Sequence, residues 1–418
     1  MFFVFGIYNQ ITNKSTTPEW NTMATAKEIF ESLEEIGGEA INLLRRQAFT
    51  PNLNKTLRNW GITEVSSLVG RSDTYIREQE KTNQTIKKQL ENKKRKRYSL
   101  PQINLLRKTF ATSPHKNNED EPAIIAFANF KGGAAKTTTS VHTAQYFALH
   151  GYKVLFIDCD SQGSATQMFG YSPDENIEND KTLLPCFLKE ASSIKDIIKE
   201  SYWDGLDIIP ANLSLYGAEF ALPARAAHAK ANGKEYPIHN ILSLYLDEVK
   251  DSYDIIIIDC PPSMGMISIN AIYAANAFIV PTPPSMLDFS STIQFFGMMR
   301  EVLTTLPDKE YSFVRILITK HDNQDSNNTL VDTLRALYGN SVLRNMMFTS
   351  EAIRKASSDL LTLYEIEKYS GTKATLDRAI GLMNNVNQEI EILVRQLWPN
   401  TTTSGFLQKR LKIVEVQQ

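Results

Sequence analysis

The sequence predicts an α/β fold, in which a doubly wound, mostly parallel sheet follows an N-terminal all-α helix-turn-helix domain. The first observation is that six short apolar runs, each bounded by turns, alternate with helical stretches after residue 122. Continuous apolar strands joined by crossover helices are typical of a parallel sheet covered on both faces. The second observation is a pattern around residue 70 in which a helix-capping residue and a first helix are followed by a short turn and by the capping residue of a second helix. The apolar runs are residues 123–130, 153–158, 206–210, 254–259, 277–282 and 313–319.

Length and composition limit the number of domains and the kinds of site that the sequence predicts. With 418 residues the chain exceeds one typical core, which predicts two or three domains. The formal net charge of −2 gives no whole-chain attraction to nucleic acid, so any DNA contact depends on local basic patches. The 3 cysteines show no CxxC spacing and indicate neither a disulfide framework nor a zinc site. No stretch approaches the roughly 20 apolar residues of a membrane span.

Changes in composition divide the chain into segments. The stretch ATSPHKNNEDE is polar, contains a proline and predicts a linker. Helical periodicity before it predicts an all-α domain, which we interpret from the motif and basic run described below as a domain for DNA binding and dimerisation. The alternation of strands and helices after it predicts the sheet domain. In order, we predict a disordered leader at 1–24, the helical domain at 25–110, the linker at 111–121, the domain with the sheet at 122–400 and a tail at 401–418.

Residues 55–80 have the rhythm of a helix-turn-helix. We expect Thr63 to cap a first helix, Val69 and Gly70 to form the turn, and Ser72 to cap the second helix. A plain helical hairpin is the alternative, but residues 81–97 carry eight Lys or Arg against one acid, a density suited to phosphate contacts. The side chains predicted to face a DNA groove are Arg71, Ser72, Asp73, Thr74 and Arg77.

The chain is organised around residues 123–139, AIIAFANFKGGAAKTTT, where a buried strand meets the start of a helix at a glycine pair. Backbone N–H groups in such a P-loop, together with the helix dipole, form a cradle for phosphates. Lys136 is expected to reach the terminal phosphates and Thr137 to offer its hydroxyl to Mg²⁺. The predicted nucleotide-binding residues of this loop are Lys131, Gly132, Gly133, Ala134, Ala135, Lys136, Thr137 and Thr138.

Two further strands end in carboxylates. The segment KVLFIDCD ends in Asp158 and Asp160, and four isoleucines precede Asp259. The carboxyl ends of parallel strands meet at one edge of a sheet, so these groups are expected beside the P-loop. Asp259 is predicted to hold Mg²⁺ together with Thr137, as a Walker B residue does.

The spacing K-G-G-x-x-K-T at 131–137 departs from the standard P-loop and resembles the deviant loop of the ParA/MinD/nitrogenase-reductase class of ATPases. With the N-terminal helix-turn-helix, the chain resembles the large ParA/SopA-type plasmid partition ATPases. The resemblance implies that Lys131 reaches the nucleotide of a second subunit and that Asp160 positions the attacking water. It also implies that Asp158 acts near Mg²⁺ and that Thr319, Lys320 and Asp322 lie at the base-binding strand end.

The same resemblance implies a functional cycle. ATP, ADP and Mg²⁺ are the expected ligands, and a homodimer closed by ATP binds DNA without sequence specificity. A ParB/SopB-like centromere-binding protein is expected to stimulate slow ATP hydrolysis, and the helix-turn-helix to repress the chain's own operon. The expected location is the nucleoid in a bacterial cytoplasm, with no membrane. Candidate contacts of the ATP dimer with DNA are Arg354, Lys355 and Lys373.

Two other functions stay open at this point. The tail GFLQKRLKIVEV mixes apolar and basic residues and resembles a membrane-targeting helix, which favours a MinD-like membrane-cycling ATPase. A DNA-binding repressor that only senses nucleotide is the other alternative. A nitrogenase-reductase role is disfavoured, because Cys159 and Cys260 lie inside the nucleotide motifs.

Overall fold

The computed structural model describes residues 25, 27, 30–35, 37–38, 55–89, 97–306, 309–322 and 324–398. Residues 30–35, in the segment before Thr56, are helical. The described residues from Thr56 onward form one compact unit. The leader at 1–24 and the tail at 401–418 lie outside the described residues, and the predicted domain boundaries stay predictions.

Among the described residues from Thr56 onward, four helices precede the sheet. Val65, Val69 and Ile76 are fully buried, and Gly70 takes the left-handed conformation (φ 73°) that ends the first helix before Ser72 caps the second. The predicted turn and second cap are therefore correct. The predicted first cap at Thr63 is wrong, because Gly61 is the cap and Glu64 completes it by accepting from the Gly61 amide. The helices are α1 (Ile62–Val69), α2 (Asp73–Thr82), α3 (Gln84–Gln89) and α4 (Leu100–Thr109).

In the part of the chain that the structure describes, the sheet has seven strands in the order β3-β4-β2-β5-β1-β6-β7, and every pairing except β3 with β4 is parallel. All six predicted strands are present, which confirms the predicted α/β class. The sequence missed β3, a two-residue antiparallel edge strand. The strands are β1 (Ala123–Phe127), β2 (Val154–Asp158), β3 (Lys199–Glu200), β4 (Leu206–Ile209), β5 (Ile255–Asp259), β6 (Ala277–Thr282) and β7 (Phe313–Ile318).

Helices cover both faces of the sheet. The four isoleucines of β5 alternate between two apolar cores, with Ile255 and Ile257 in one and Ile256 and Ile258 in the other. This alternation follows from the two-residue period of a strand and explains why the run is continuously apolar. The helices are α5 (Lys136–Leu149), α6 (Ser164–Met168), α7 (Leu184–Phe187), α8 (Gly217–Ala231), α9 (Ile241–Leu246), α10 (Met266–Ala274), α11 (Met286–Thr305), α12 (Asp325–Tyr338), α13 (Glu351–Ser358) and α14 (Lys373–Gln396).

The four N-terminal helices share a hydrophobic core with the sheet. Leu106 of α4 belongs to the same buried cluster as Phe147 of α5 and Val154 of β2. The Arg107 side chain, 1% exposed, crosses this contact. The helical segment is therefore packed directly against the helix that follows the P-loop.

Candidate functional site

The P-loop joins the end of β1 to the start of α5. Its backbone takes left-handed conformations at Gly133 (φ 75°) and at Ala135 (φ 68°). A glycine adopts this conformation freely, whereas the Cβ of an alanine makes it less favourable. The Asn129 side chain holds the loop in place. Its Nδ2 donates to the Pro281 carbonyl at 2.7 Å, and its Oδ1 accepts from the Lys131 backbone amide at 3.1 Å.

Lys136 begins α5 and points back into the loop. Its ammonium is largely buried and donates to the Lys131 carbonyl at 3.2 Å. Burial lowers the pKa of Lys136, and the nearby carboxylates of Asp259 and Asp160 oppose that change. Because a buried ammonium needs compensating negative charge, this position suits an anionic ligand.

Asp158 and Asp259 are paired across the neighbouring strands β2 and β5. Both side chains are fully buried, and burial raises the pKa of Asp158 to about 7 and that of Asp259 to about 8. The carboxylate of Asp158 is occupied, because it accepts from the amide (2.9 Å) and hydroxyl (2.7 Å) of Thr166 and from the Asp160 amide (3.1 Å). Asp158 therefore holds the turn that carries Asp160.

Asp259 differs from Asp158 because neither of its carboxylate oxygens, both buried, has a hydrogen-bond partner among the residues that the structure describes. The Thr137 hydroxyl is close enough to lower the Asp259 pKa but makes no hydrogen bond of normal geometry to it. Leaving a buried carboxylate without partners costs free energy. A carboxylate and a hydroxyl at the mouth of a P-loop are the protein ligands that Mg²⁺ takes alongside phosphates and water, so these residues fit that ion.

Asp160 lies at the edge of the same site and is partly exposed. Its Oδ1 accepts from the Gln162 amide at 3.0 Å, and its charge acts on both Lys136 and Asp259. The sequence predicted that Asp160, Lys136 and Asp259 lie together, and the structure brings them to one edge of the sheet. Their chemical roles stay predictions.

The end of β7 also contacts the loop. The Thr319 hydroxyl donates to the Ala134 carbonyl at 3.0 Å and is fully buried, so its side chain supports the P-loop. Asp322 is exposed and accepts from the Gln324 amide and the Asn327 side chain, which hold its pKa below the usual range. Neither contact tests the predicted role of these residues near a base.

The remaining predicted loop residues also have definite positions. Gly132 is exposed beside Lys131, whereas Ala134 is buried. The Thr138 carbonyl accepts from Nδ1 of His142 at 2.7 Å, inside α5. Residue patterns alone did not reveal Asn129 or Thr166, because both act through contacts between segments distant in sequence.

The predicted groove-facing residues of the helical segment divide into two groups. Arg71 donates to the carbonyls of Gly70 and Phe110, and Ser72 caps α2 by accepting from the Tyr75 amide, so both have structural contacts. Thr74 and Arg77 are exposed on α2, whereas Asp73 is half-buried. The exposed pair is therefore free to meet a ligand, and residues 90–96 of the basic run lie outside the described residues.

The second basic group lies on α13 and at the start of α14. Arg354 forms a two-pronged ion pair with Glu351, and Lys355 lies 3.8 Å from the same carboxylate. Lys373 lies 4.0 Å from Asp377. Exposed pairs of this kind are weak, so these cations remain accessible to phosphates.

Comparison with known proteins places these features in context. A family model described as an AAA domain matches residues 122–310. The chain is 34% identical over 371 residues to the protein SopA of Escherichia coli strain K12, which covers 86% of this chain and 95% of SopA. It is 27% identical over 259 residues to the chromosome partitioning protein ParA of Caulobacter vibrioides strain NA1000, covering 61% of this chain and 92% of that protein.

A solved structure called a partition protein shares the fold. It aligns with a TM-score of 0.61 at 19% identity and covers 86% of this chain and 99% of its own. In the described residues we find no helix with the length and apolar character needed to cross a membrane. The tail that favoured the membrane-cycling alternative lies outside the described residues.

Proposed function

The chain belongs to the ParA/SopA family of partition ATPases, and on that premise we propose that it is a Mg²⁺-dependent ATPase that segregates a plasmid or chromosome. The observation that carries the proposal is the buried, unpartnered carboxylate of Asp259 beside Thr137 and Lys136. A folded chain keeps such a costly group where a bound ligand compensates for it. ATP, ADP and Mg²⁺ are the ligands that fit this group.

Different residues of the loop bind different parts of ATP and its metal ion. The backbone from Lys131 to Thr138 cradles the phosphates, and the Lys136 ammonium neutralises the terminal ones. Thr137 and Asp259 hold Mg²⁺, with Asp158 fixing the adjacent turn. When bound, Mg²⁺ neutralises charge on the phosphate oxygens.

Hydrolysis then depends on positioning. Asp160, partly exposed at the mouth of the site, orients a water for in-line attack on the terminal phosphate. The Lys131 backbone is held by Asn129 and Lys136, which leaves its side chain to extend from the loop. We assign that side chain to the nucleotide of a second subunit, so that ATP closes a homodimer. The family resemblance at 131–137 supports this assignment.

DNA binding has two modes in this proposal. The ATP dimer binds DNA without sequence specificity through Arg354, Lys355 and Lys373, cations on adjoining helices of which Arg354 and Lys373 are exposed and Lys355 is half-buried. Thr74 and Arg77 of α2 read an operator, and Arg71 and Ser72 hold the turn that presents them. Repression of its own operon by the helical domain at 25–110 follows from this second mode.

A ParB/SopB-like centromere-binding protein is the proposed partner. It stimulates slow hydrolysis, after which the ADP form leaves non-specific DNA. The cycle places the protein on the bacterial nucleoid in the cytoplasm. The linker at 111–121 and the ATPase domain at 122–400 are the proposed boundaries within the chain.

Steady-state phosphate release tests the proposal. With Mg²⁺, DNA and the cognate centromere-binding protein, Asp160→Ala is expected to lose about a hundredfold in turnover while ATP still binds. Asp180→Ala is the matched control, because Asp180 is an exposed aspartate remote from the P-loop in sequence. If the wild type releases phosphate no faster than Asp160→Ala, the chain is a nucleotide-sensing repressor and the ATPase proposal fails.

A further inference from the structure

Lys320 follows β7 with a backbone conformation that lysine rarely adopts. Its φ is 54°, in the left-handed region, where a Cβ makes the conformation unfavourable. Contacts on either side hold it there: the Thr319 hydroxyl donates to the Ala134 carbonyl at 3.0 Å, and the Thr349 hydroxyl donates to the Lys320 carbonyl at 3.1 Å. A non-glycine residue kept in this conformation by its surroundings is often found at a functional site.

The Lys320 ammonium lies close to the P-loop at Gly133. A Cβ placed on Gly133 would lie 3.9 Å from Lys320 Nζ, and Gly133 has no side chain to separate them. Thr319 ties the same strand end to the loop, so the position of the ammonium is coupled to the loop itself. Lys320 lies far in sequence from the loop, at the strand end that the family resemblance assigns to base binding.

The ammonium of Lys320 has no acidic partner within the part of the chain that the structure describes. Lys131, Lys136 and Lys320 thus bring three cations to one loop. Like charges around one loop repel, and an anionic ligand bound beside Lys136 and Lys320 lowers that repulsion. The geometry favours a ligand with several negative charges.

We propose that Lys320 contacts the phosphate chain of the nucleotide bound in the P-loop of the same subunit. This inference rests on the proposed function and adds a phosphate-binding residue to it. The ammonium donates to phosphate oxygens, and its left-handed backbone positions it in advance. The binding free energy of both ATP and ADP then includes this contact.

Equilibrium binding of fluorescent ATP and ADP analogues, at fixed salt and with Mg²⁺, tests the contact. Lys320→Met keeps the length of the side chain and removes the charge, and we expect about tenfold weaker binding of both analogues. Lys320→Gly relieves the left-handed backbone, so we expect a higher melting temperature without nucleotide together with the same weakened binding. If Lys320 only stabilised the fold, a variant with a raised melting temperature would not bind the nucleotide analogues more weakly.

Lys189→Met is the matched control. Lys189 also has φ 54° and is exposed, but it lies over the Tyr236 ring, outside the loop. We expect it to bind both analogues within about twofold of the wild type. If Lys320→Met also stays within that range while the wild type binds ATP, this inference is wrong and the proposed function stands. If the wild type binds neither analogue, both are wrong.

Discussion

The guanidinium of Arg107 donates a 2.5 Å hydrogen bond to the carbonyl of Leu149, the last residue of the helix that begins at the P-loop. Arg107 also donates to the Leu68 carbonyl at 3.2 Å, so one buried side chain joins α1, α4 and α5. A cation at a helix C-terminus interacts favourably with the helix dipole. The predicted DNA-binding segment and the phosphate loop therefore lie at opposite ends of one helix.

Replacing this side chain tests how strongly the helical segment depends on it. Arg107→Met leaves the Leu68 and Leu149 carbonyls buried without these donors, which we expect to lower the free energy of unfolding by about 2–4 kcal/mol. Urea denaturation measures the change. Arg300→Met, at an exposed arginine of α11, is the control, and an equal effect from both substitutions would contradict the assigned role of Arg107.

His142 predicts a pH dependence of stability. It is fully buried, its Nδ1 faces the Thr138 carbonyl, and its Nε2 accepts from the Leu363 amide. Burial lowers its pKa from 6.5 to about 4. As pH falls below 6.5 the unfolded chain takes up the proton first, so the contribution of His142 is complete above that pH and is lost towards pH 4.

Urea unfolding at several pH values between 6.5 and about 4 measures this contribution of His142 to stability. The neutral imidazole contributes about 3 kcal/mol across this range. We expect His142→Gln to remove that part of the pH slope, whatever its effect on stability at neutral pH. The exposed His228 provides the control, because His228→Gln should leave the slope unchanged. A wild-type slope retained in His142→Gln would show that other groups cause it.

We predict that replacing Asp259 stabilises the protein without ligand but removes its stabilisation by ligand. Above pH 8, where the raised pKa of Asp259 leaves it ionised, Asp259→Asn removes a buried charge that has no hydrogen-bond partner among the described residues, so we expect a higher melting temperature without ligand at that pH. The same change removes the carboxylate proposed to hold Mg²⁺, so the rise in melting temperature that Mg²⁺ and ATP give the wild type should disappear. A variant that is destabilised without ligand but still stabilised by Mg²⁺ and ATP would contradict both parts.

Replacing Arg71 and replacing Arg77, the two arginines near the turn, should cause different defects. Arg77 is exposed, so Arg77→Ala should leave the melting temperature unchanged and weaken operator binding by about 1–3 kcal/mol. Arg71 donates to the Phe110 carbonyl, so Arg71→Ala should lower the melting temperature as well. Mobility shift and thermal unfolding measure the two effects. Equal losses of stability in both variants would show that this division of roles is wrong.

The sequence predicted the sheet well because buried parallel strands are continuously apolar. It missed β3, since two residues paired at an edge carry no such pattern. It predicted a helix start after the glycine pair, and the exact start at Lys136 follows the left-handed Ala135, a conformation that has no sequence signature.

At the candidate site, the sequence identified residues that follow a motif. It named Lys320 only as a residue of the base-binding strand end, and it did not predict contacts that reach the P-loop from distant segments. Asn129 holds the P-loop through the Pro281 carbonyl, and Lys320 reaches Gly133 through an unusual backbone conformation. Both depend on which strand ends become neighbours, and local spacing does not encode that information.

The most direct test of the proposed function is binding of the purified protein to its own upstream DNA and to random DNA at fixed salt, with ADP, ATP or no nucleotide. We predict specific upstream binding favoured by ADP, and random DNA bound only with ATP. Lys136→Ala should lose the effect of nucleotide on both. If neither DNA binds in any nucleotide state, the proposal that this chain partitions DNA is contradicted.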